Sequence, residues 1–213
     1  MALWSACMPI WGAVVHGQAS IEGKVALPKL EVPAVTPLRY PGQIGEVAPP
    51  DPPVAVVYFE GSVPNVTSHS AAVTNQVLRQ RGMQFHPALL PIQVGTAVAF
   101  PNGDDFYHNV FSYSKPKRFD LGRYRKDDRP PIEIFDKPGV VKLYCDIHQH
   151  MRGVILVLDT PYFTSTDTNG LYELRNLPAG NYVLKAWVDE KHVGEKPVSL
   201  KPGQRLHEDF DLK

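Results

Sequence analysis

Four side chains able to bind soft or borderline metals fall within seven residues: Cys145, His148, His150 and Met151, in the stretch YCDIHQHMRGVILV (144–157). A thiolate with two imidazoles in a trigonal plane, and a weak thioether on the axis, is the donor set of a copper electron-transfer site. The turn supplies Cys145, His148 and Met151 at the spacing C-x2-H-x2-M. A second imidazole has to come from a distant strand end. His108 is the best-placed candidate, because it follows the polar turn PNGDDFY (101–107) and opens the apolar run HNVF (108–111). Buried inert cysteines are common, but a cysteine just ahead of His-x-His-Met in a turn is a metal-site pattern.

Strands must hold these residues. The run Val140 to Tyr144 leads into the turn and Val154 to Leu158 leads out of it. Further strands are predicted at SIEGKVAL (20–27), VAVVYFE (54–60), LLPIQV (89–94), AVAF (97–100) and PIEIF (131–135), separated by Gly-, Pro- and Asn-rich turns. AAVTNQVLRQR (71–81) reads as strand rather than short helix, and Pro28 to Pro53 as irregular, extended chain. SYSKPKRFDLGRYRKDD (112–128) reads as a solvated loop with a strand at 119–121; the alternative is a docking surface beside the metal turn. After Asp159, TDTNG (166–170) reads as a hairpin-type turn, followed by alternating LYEL (171–174) and YVLKAWV (182–188).

The 213 residues suit one large domain or two small ones. A hydrophobic fraction of 43%, with 21 Pro, 16 Gly and no long amphipathic stretch, predicts an all-β chain with a buried core. Zero formal net charge gives no nucleic-acid footprint. No nucleophile–base pair or acidic pair stands out, so an enzyme is not expected. Residues 1–19 carry no charged side chain, and the apolar run Ala2 to Val15 has the length of a signal-peptide core rather than of a membrane span. The expectation is an exported, periplasmic protein with no transmembrane segment in its mature form. Cleavage there would remove Cys7 and leave Cys145 as the single thiol, which metal ligation would explain.

The segments VGTAVAFPNGDDFYHNVFS (94–112) and YCDIHQHM (144–151) resemble the cupredoxins, the type 1 blue copper proteins, across roughly residues 71–158. The ligand spacing is similar to that of amicyanin. The whole chain resembles the bacterial exported cupredoxin-domain proteins labelled methylamine utilisation protein. The resemblance implies a Greek-key β-sandwich with one mononuclear copper, His108, Cys145 and His148 as equatorial ligands and Met151 as axial ligand. It implies that Asn109 ties the two ligand loops together by a contact near Asp146, where many members have a small hydroxyl residue instead. It also sets His150 aside as a solvent-facing neighbour, because a ligand there would call for Met at position 154, which is Val. His86 becomes a non-ligand, Met83 a remote competitor for the axis, and His69, His192 and His207 surface residues. His148 would be the electron exit.

The segment TDTNGLYELRNLPAGNYVLKAWV (166–188) resembles the carboxypeptidase regulatory-like or transthyretin-like β-sandwich. That family opens with a G-x-V strand and an apolar strand, matched here before the cupredoxin region. The expected organisation is therefore a leader over 1–19, a discontinuous smaller sandwich from 20–65 with 160–213, and a cupredoxin domain inserted over 66–159; simple tandem order is the alternative. The expected role is single-electron transfer between protein redox partners. Alternatives are a copper carrier or sensor, which would release metal readily to a chelator, a variant with an open coordination position, and a surface-binding sandwich whose copper domain is vestigial.

Overall fold

The computed structural model describes residues 18–29, 47–61 and 75–212. These residues hold eighteen strands and no helix, so none forms a helix long and apolar enough to cross a membrane. In chain order the strands are β1 (Ala19–Ala26), β2 (Val56–Phe59), β3 (Gln76–Val77), β4 (Arg79–Arg81), β5 (Gln84–His86), β6 (Leu89–Gln93), β7 (Thr96–Ala99), β8 (His108–Tyr113) and β9 (Arg118–Tyr124). They continue with β10 (Ile132–Phe135), β11 (Gly139–Tyr144), β12 (Arg152–Leu158), β13 (Phe163–Ser165), β14 (Leu171–Leu177), β15 (Gly180–Trp187), β16 (Val193–Leu200), β17 (Arg205–His207) and β18 (Phe210–Asp211).

Early and late strands of the chain pair with one another. β1 runs antiparallel to β14, with Ile21 opposite Leu174, and parallel to β17 and β18. β2 runs antiparallel to β13 and β15, with Val57 opposite Thr164 and Ala186. The side chains of Ile21, Val25, Val57, Phe59, Leu174 and Leu184 share one buried core between these two sheets. Gly23, of the Ile-x-Gly-x-Val pattern, lies against the link between β17 and β18. A Cβ there would stand 1.9 Å from the Glu208 carbonyl oxygen, so only glycine admits that approach.

A five-stranded sheet in the order β6-β12-β11-β8-β9 shares a second core with β10-β7-β3 and the β4–β5 hairpin. β12 belongs to two layers. Strand residues alternate between faces, and Ile155 and Val157 enter this second core while Leu156 and Leu158 pack on Val56 and Trp187. β2 repeats the pattern in mirror: Val57 and Phe59 face the first core, Val56 and Tyr58 face β12. The unbroken apolar runs ILVL and VVYF follow from burial on both faces. Leu156→Ala should therefore cost roughly 2–5 kcal/mol in chemical denaturation without altering the metal site; a loss below about 1 kcal/mol would show that the two layers do not stabilise each other.

Several expectations fall on undescribed residues: the leader apart from residues 18–19, Cys7, His69, and residues 71–74 of the stretch AAVTNQVLRQR. The remainder of that stretch forms β3 and β4. β9 extends well beyond residues 119–121 and makes the edge of the five-stranded sheet. The TDTNG turn differs from its sequence reading, because β13 and β14 on its two sides belong to different sheets. The Asp167 carboxylate accepts the N–H groups of Asn169 and Leu171 at 2.9 and 2.8 Å. This Asx chemistry serves a corner between sheets as well as it serves a hairpin.

Candidate metal centre

The turn between β11 and β12 carries three of the sequence-selected residues. Cys145 follows the last residue of β11, His148 lies in the turn, and Met151 immediately precedes β12. The turn is closed by the Met151 N–H, which donates to the His148 carbonyl at 3.0 Å. Met151 is fully buried in the same core as Cys145. His108 opens β8, the neighbour of β11, where Tyr144 stands opposite Phe111. Sheet pairing thus carries His108 to the turn across 37 residues of sequence.

The donor atoms of His108, Cys145 and His148 all lie within 4.8 Å of one another, and all three residues are buried. Cys145 Sγ is 4.0 Å from His108 Nδ1 and 3.8 Å from His148 Nδ1, and the two nitrogens are 3.0 Å apart. A triangle with these sides has a circumradius of about 2.1 Å, against metal–nitrogen and metal–sulfur bonds of about 2.0–2.3 Å in nitrogen/sulfur sites. One ion near the centre of the triangle could therefore reach all three donors at once. Two imidazoles and one thiolate converging on one point fit a type 1 copper ligand set.

Hydrogen bonds fix the loops around the triangle. Asn109 bridges the two ligand segments: its Oδ1 accepts the Asp146 N–H at 3.0 Å and its Nδ2 donates to Asp120 Oδ1 at 2.8 Å. The Asp146 carboxylate turns outward to Arg123, at 3.2 Å from Nε and 2.8 Å from Nη2. That pair is well exposed and adds little stability. Asn109→Ala should lower metal affinity about 10–100-fold and stability by about 1–3 kcal/mol, measured by chelator competition and chemical denaturation. Unchanged affinity would show that the bridge does not position the ligands.

The loop ahead of His108 is built around three residues the sequence reading did not select. The Asn102 side chain donates to the carbonyls of Phe106 and Tyr124, at 2.8 and 3.0 Å. Asp104 Oδ2 lies 2.8 Å from His108 Nε2. The Phe106 ring covers the site, meeting the rings of His108 and His148 edge-on at 5.1 and 5.5 Å. Asp104 had a usable signal, a carboxylate four residues before a candidate ligand. The adjacent Asp105 is equally close in sequence but points to solvent and pairs with Lys126 at 3.1 Å.

Burial and neighbouring imidazoles favour the neutral forms of His108 and His148. Burial first, then His108 and His150, push His148 down to about 4 against the opposing pull of Asp104 and Asp146. Burial also lowers His108, although Asp104 opposes it. Neutral imidazole is the metal-binding form, so both rings are ready to ligate at neutral pH.

Among the described residues, the other histidines lie outside the triangle. His150 is half-buried rather than solvent-facing, and among the described residues its Nε2 is buried without a partner. Met83, in the turn between β4 and β5, lies beside His150 and shares a core with Met151. His86 Nδ1 bonds Asp51 at 2.8 Å, His192 bonds Asp189 at 2.9 Å, and His207 lies 3.2 Å from Asp209.

The chain matches no protein-family model and no curated protein sequence. Among solved structures it is similar to a copper-containing nitrite reductase from Thermus scotoductus SA-01, at 28% identity over 40% of this chain and 23% of that one, with a TM-score of 0.38. It is similar to a purple cupredoxin from Nitrosopumilus maritimus, at 26% identity over 38% of this chain and 98% of that one, with a TM-score of 0.35. An amicyanin variant in its reduced Cu(I) form is 22% identical over 41% of this chain and 86% of its own, with a TM-score of 0.36. The chain spans less than a quarter of the length of the nitrite reductase.

Proposed function

We propose that this protein is a type 1 copper protein that passes single electrons between protein partners. His108, Cys145 and His148 would be the equatorial ligands and Met151 the axial one. The observation that carries this reading is the buried triangle of one sulfur and two nitrogens, whose centre lies at bonding distance from all three. Copper bound there supplies a one-electron couple. The chain's own residues supply rigidity. Cys145 and His148 are held in a short closed turn between two central strands, His108 is fixed at the start of a third, and Asn109 joins the segments. Fixed donors undergo little rearrangement when charge changes, which suits fast electron transfer. Phe106 and the surrounding apolar core exclude water from the donors.

The reading is of a carrier rather than an enzyme. We place it in an exported compartment, in keeping with the uncharged apolar stretch at residues 1–19 and with Cys145 as the one thiol beyond it. We also infer that the copper-type sandwich is nested within a smaller one. The pairing of β1 with β14, β17 and β18, and of β2 with β13 and β15, supports that nesting. Titration with copper, followed through its visible spectrum, tests the function. One equivalent should bind with an intense thiolate-to-copper band, and a chelator should strip it slowly. Rapid release would favour a copper carrier over an electron carrier.

A further inference from the structure

His108 and His148 meet the triangle through the same atom, Nδ1, but are held differently. His108 Nε2 lies 2.8 Å from Asp104 Oδ2, with the His108 side chain fully buried and that of Asp104 only 11% exposed. No carboxylate bonds His148 among the described residues. Asp104 is itself fixed on several sides. Its Oδ1 accepts the Gly82 N–H at 2.7 Å, its Oδ2 accepts the Met83 N–H at 3.0 Å, and its own N–H donates to Asn102 Oδ1 at 2.9 Å. Gly82 and Met83 both lie in the left-handed region, at φ of 59° and 58°. A buried methionine in that conformation is strained, and the Asp104 carboxylate receives the two amides that the turn presents.

We propose that Asp104 is a positioning residue that fixes the His108 tautomer and lowers the reduction potential of copper bound at His108, Cys145 and His148. This rests on the copper reading above. A neutral imidazole carries a single N–H. With that N–H directed at Asp104, the Nδ1 lone pair faces the triangle, and a flipped ring would lose the hydrogen bond to the carboxylate. A carboxylate on the outer nitrogen also makes the imidazole a stronger donor. Among the described residues no lysine or arginine forms an ion pair with Asp104: its bonds are from the backbone amides of Gly82 and Met83 and with His108. Asp146, the other carboxylate at the ligand turn, is neutralised by Arg123. Uncompensated negative charge in a buried site favours the more positive Cu(II) over Cu(I).

The test compares copper-loaded wild type, D104N and D104E by direct electrochemistry, with thermal melts of the metal-free proteins as folding controls. D104N keeps the side chain's size and an oxygen for His108 but removes the charge. Its potential should rise by a tenfold or larger change in the ratio of Cu(II) to Cu(I) affinity, about 59 mV per tenfold. D104E, which restores the charge, should bring the potential most of the way back. Asp104→Ser is the second uncharged variant should D104N not fold. A D104N protein that keeps the visible band and whose affinity ratio stays within about twofold of wild type would overturn the proposal, leaving Asp104 as an anchor of the Gly82–Met83 turn alone. Wild type lacking the band would overturn the copper reading, and this inference with it.

Discussion

Loading the protein with copper should raise its melting temperature by on the order of 10 °C. The three donors belong to two segments, His108 on β8 and Cys145 with His148 in the turn beyond β11. Unfolding separates them and leaves only the local Cys-x2-His pair to hold metal. A ligand that prefers the folded state stabilises it by about 4 kcal/mol when its free concentration is about a thousand times its Kd. A chain of this size gains roughly 2–4 °C per kcal/mol. Scanning calorimetry of the metal-free and loaded forms measures the shift. His108→Ala should remove most of it, because the variant has nearly the same donors folded and unfolded. An equal rise in wild type and variant would place the metal on the turn alone or elsewhere.

Acidification should cost the metal-free protein on the order of 3 kcal/mol between pH 6.5 and about 4. In the unfolded chain an imidazole takes up its proton near pH 6.5. In the fold, burial and the neighbouring His108 and His150 delay protonation of His148 to about 4. Between these values the unfolded state binds more protons, so stability rises with pH. The contribution is complete above about 6.5, declines as pH falls, and loses nothing further below about 4. His108 is lowered for the same first reason and adds in the same direction. Urea denaturation at pH 7, 5.5 and 4.5 reads the slope, and His148→Asn should flatten it. A metal-free wild type equally stable at pH 7 and 4.5 would contradict the account. Protons compete with metal for the same nitrogens, so copper should leave more readily at the acid end.

The two parts of the triangle were not equally readable from sequence. The ligand turn is local: C-x2-H-x2-M places soft donors within one loop whatever the fold. His108 depends on strand pairing, and its candidacy came from a polar turn running into an apolar strand. Asp104 and Phe106 were not singled out for a different reason. Asp104 and Asp105 are chemically identical neighbours, and only the position of the β4–β5 turn decides which one faces His108. His150 was misjudged for the same cause, since exposure depends on what folds over a residue. The Asx signature of TDTNG was correctly a turn, but Asx chemistry does not say whether the next strand returns to the same sheet. The runs ILVL and VVYF announced buried strands; their burial on two faces is a property of how the layers stack.

The most direct test of the central claim is the visible spectrum of the copper-loaded protein beside that of Cys145→Ser. An intense thiolate-to-copper band in wild type, at one copper per chain and absent from the variant, is the expected result. Stoichiometric copper without that band, or a band that survives removal of the Cys145 sulfur, would contradict the claim that His108, Cys145 and His148 form a type 1 site.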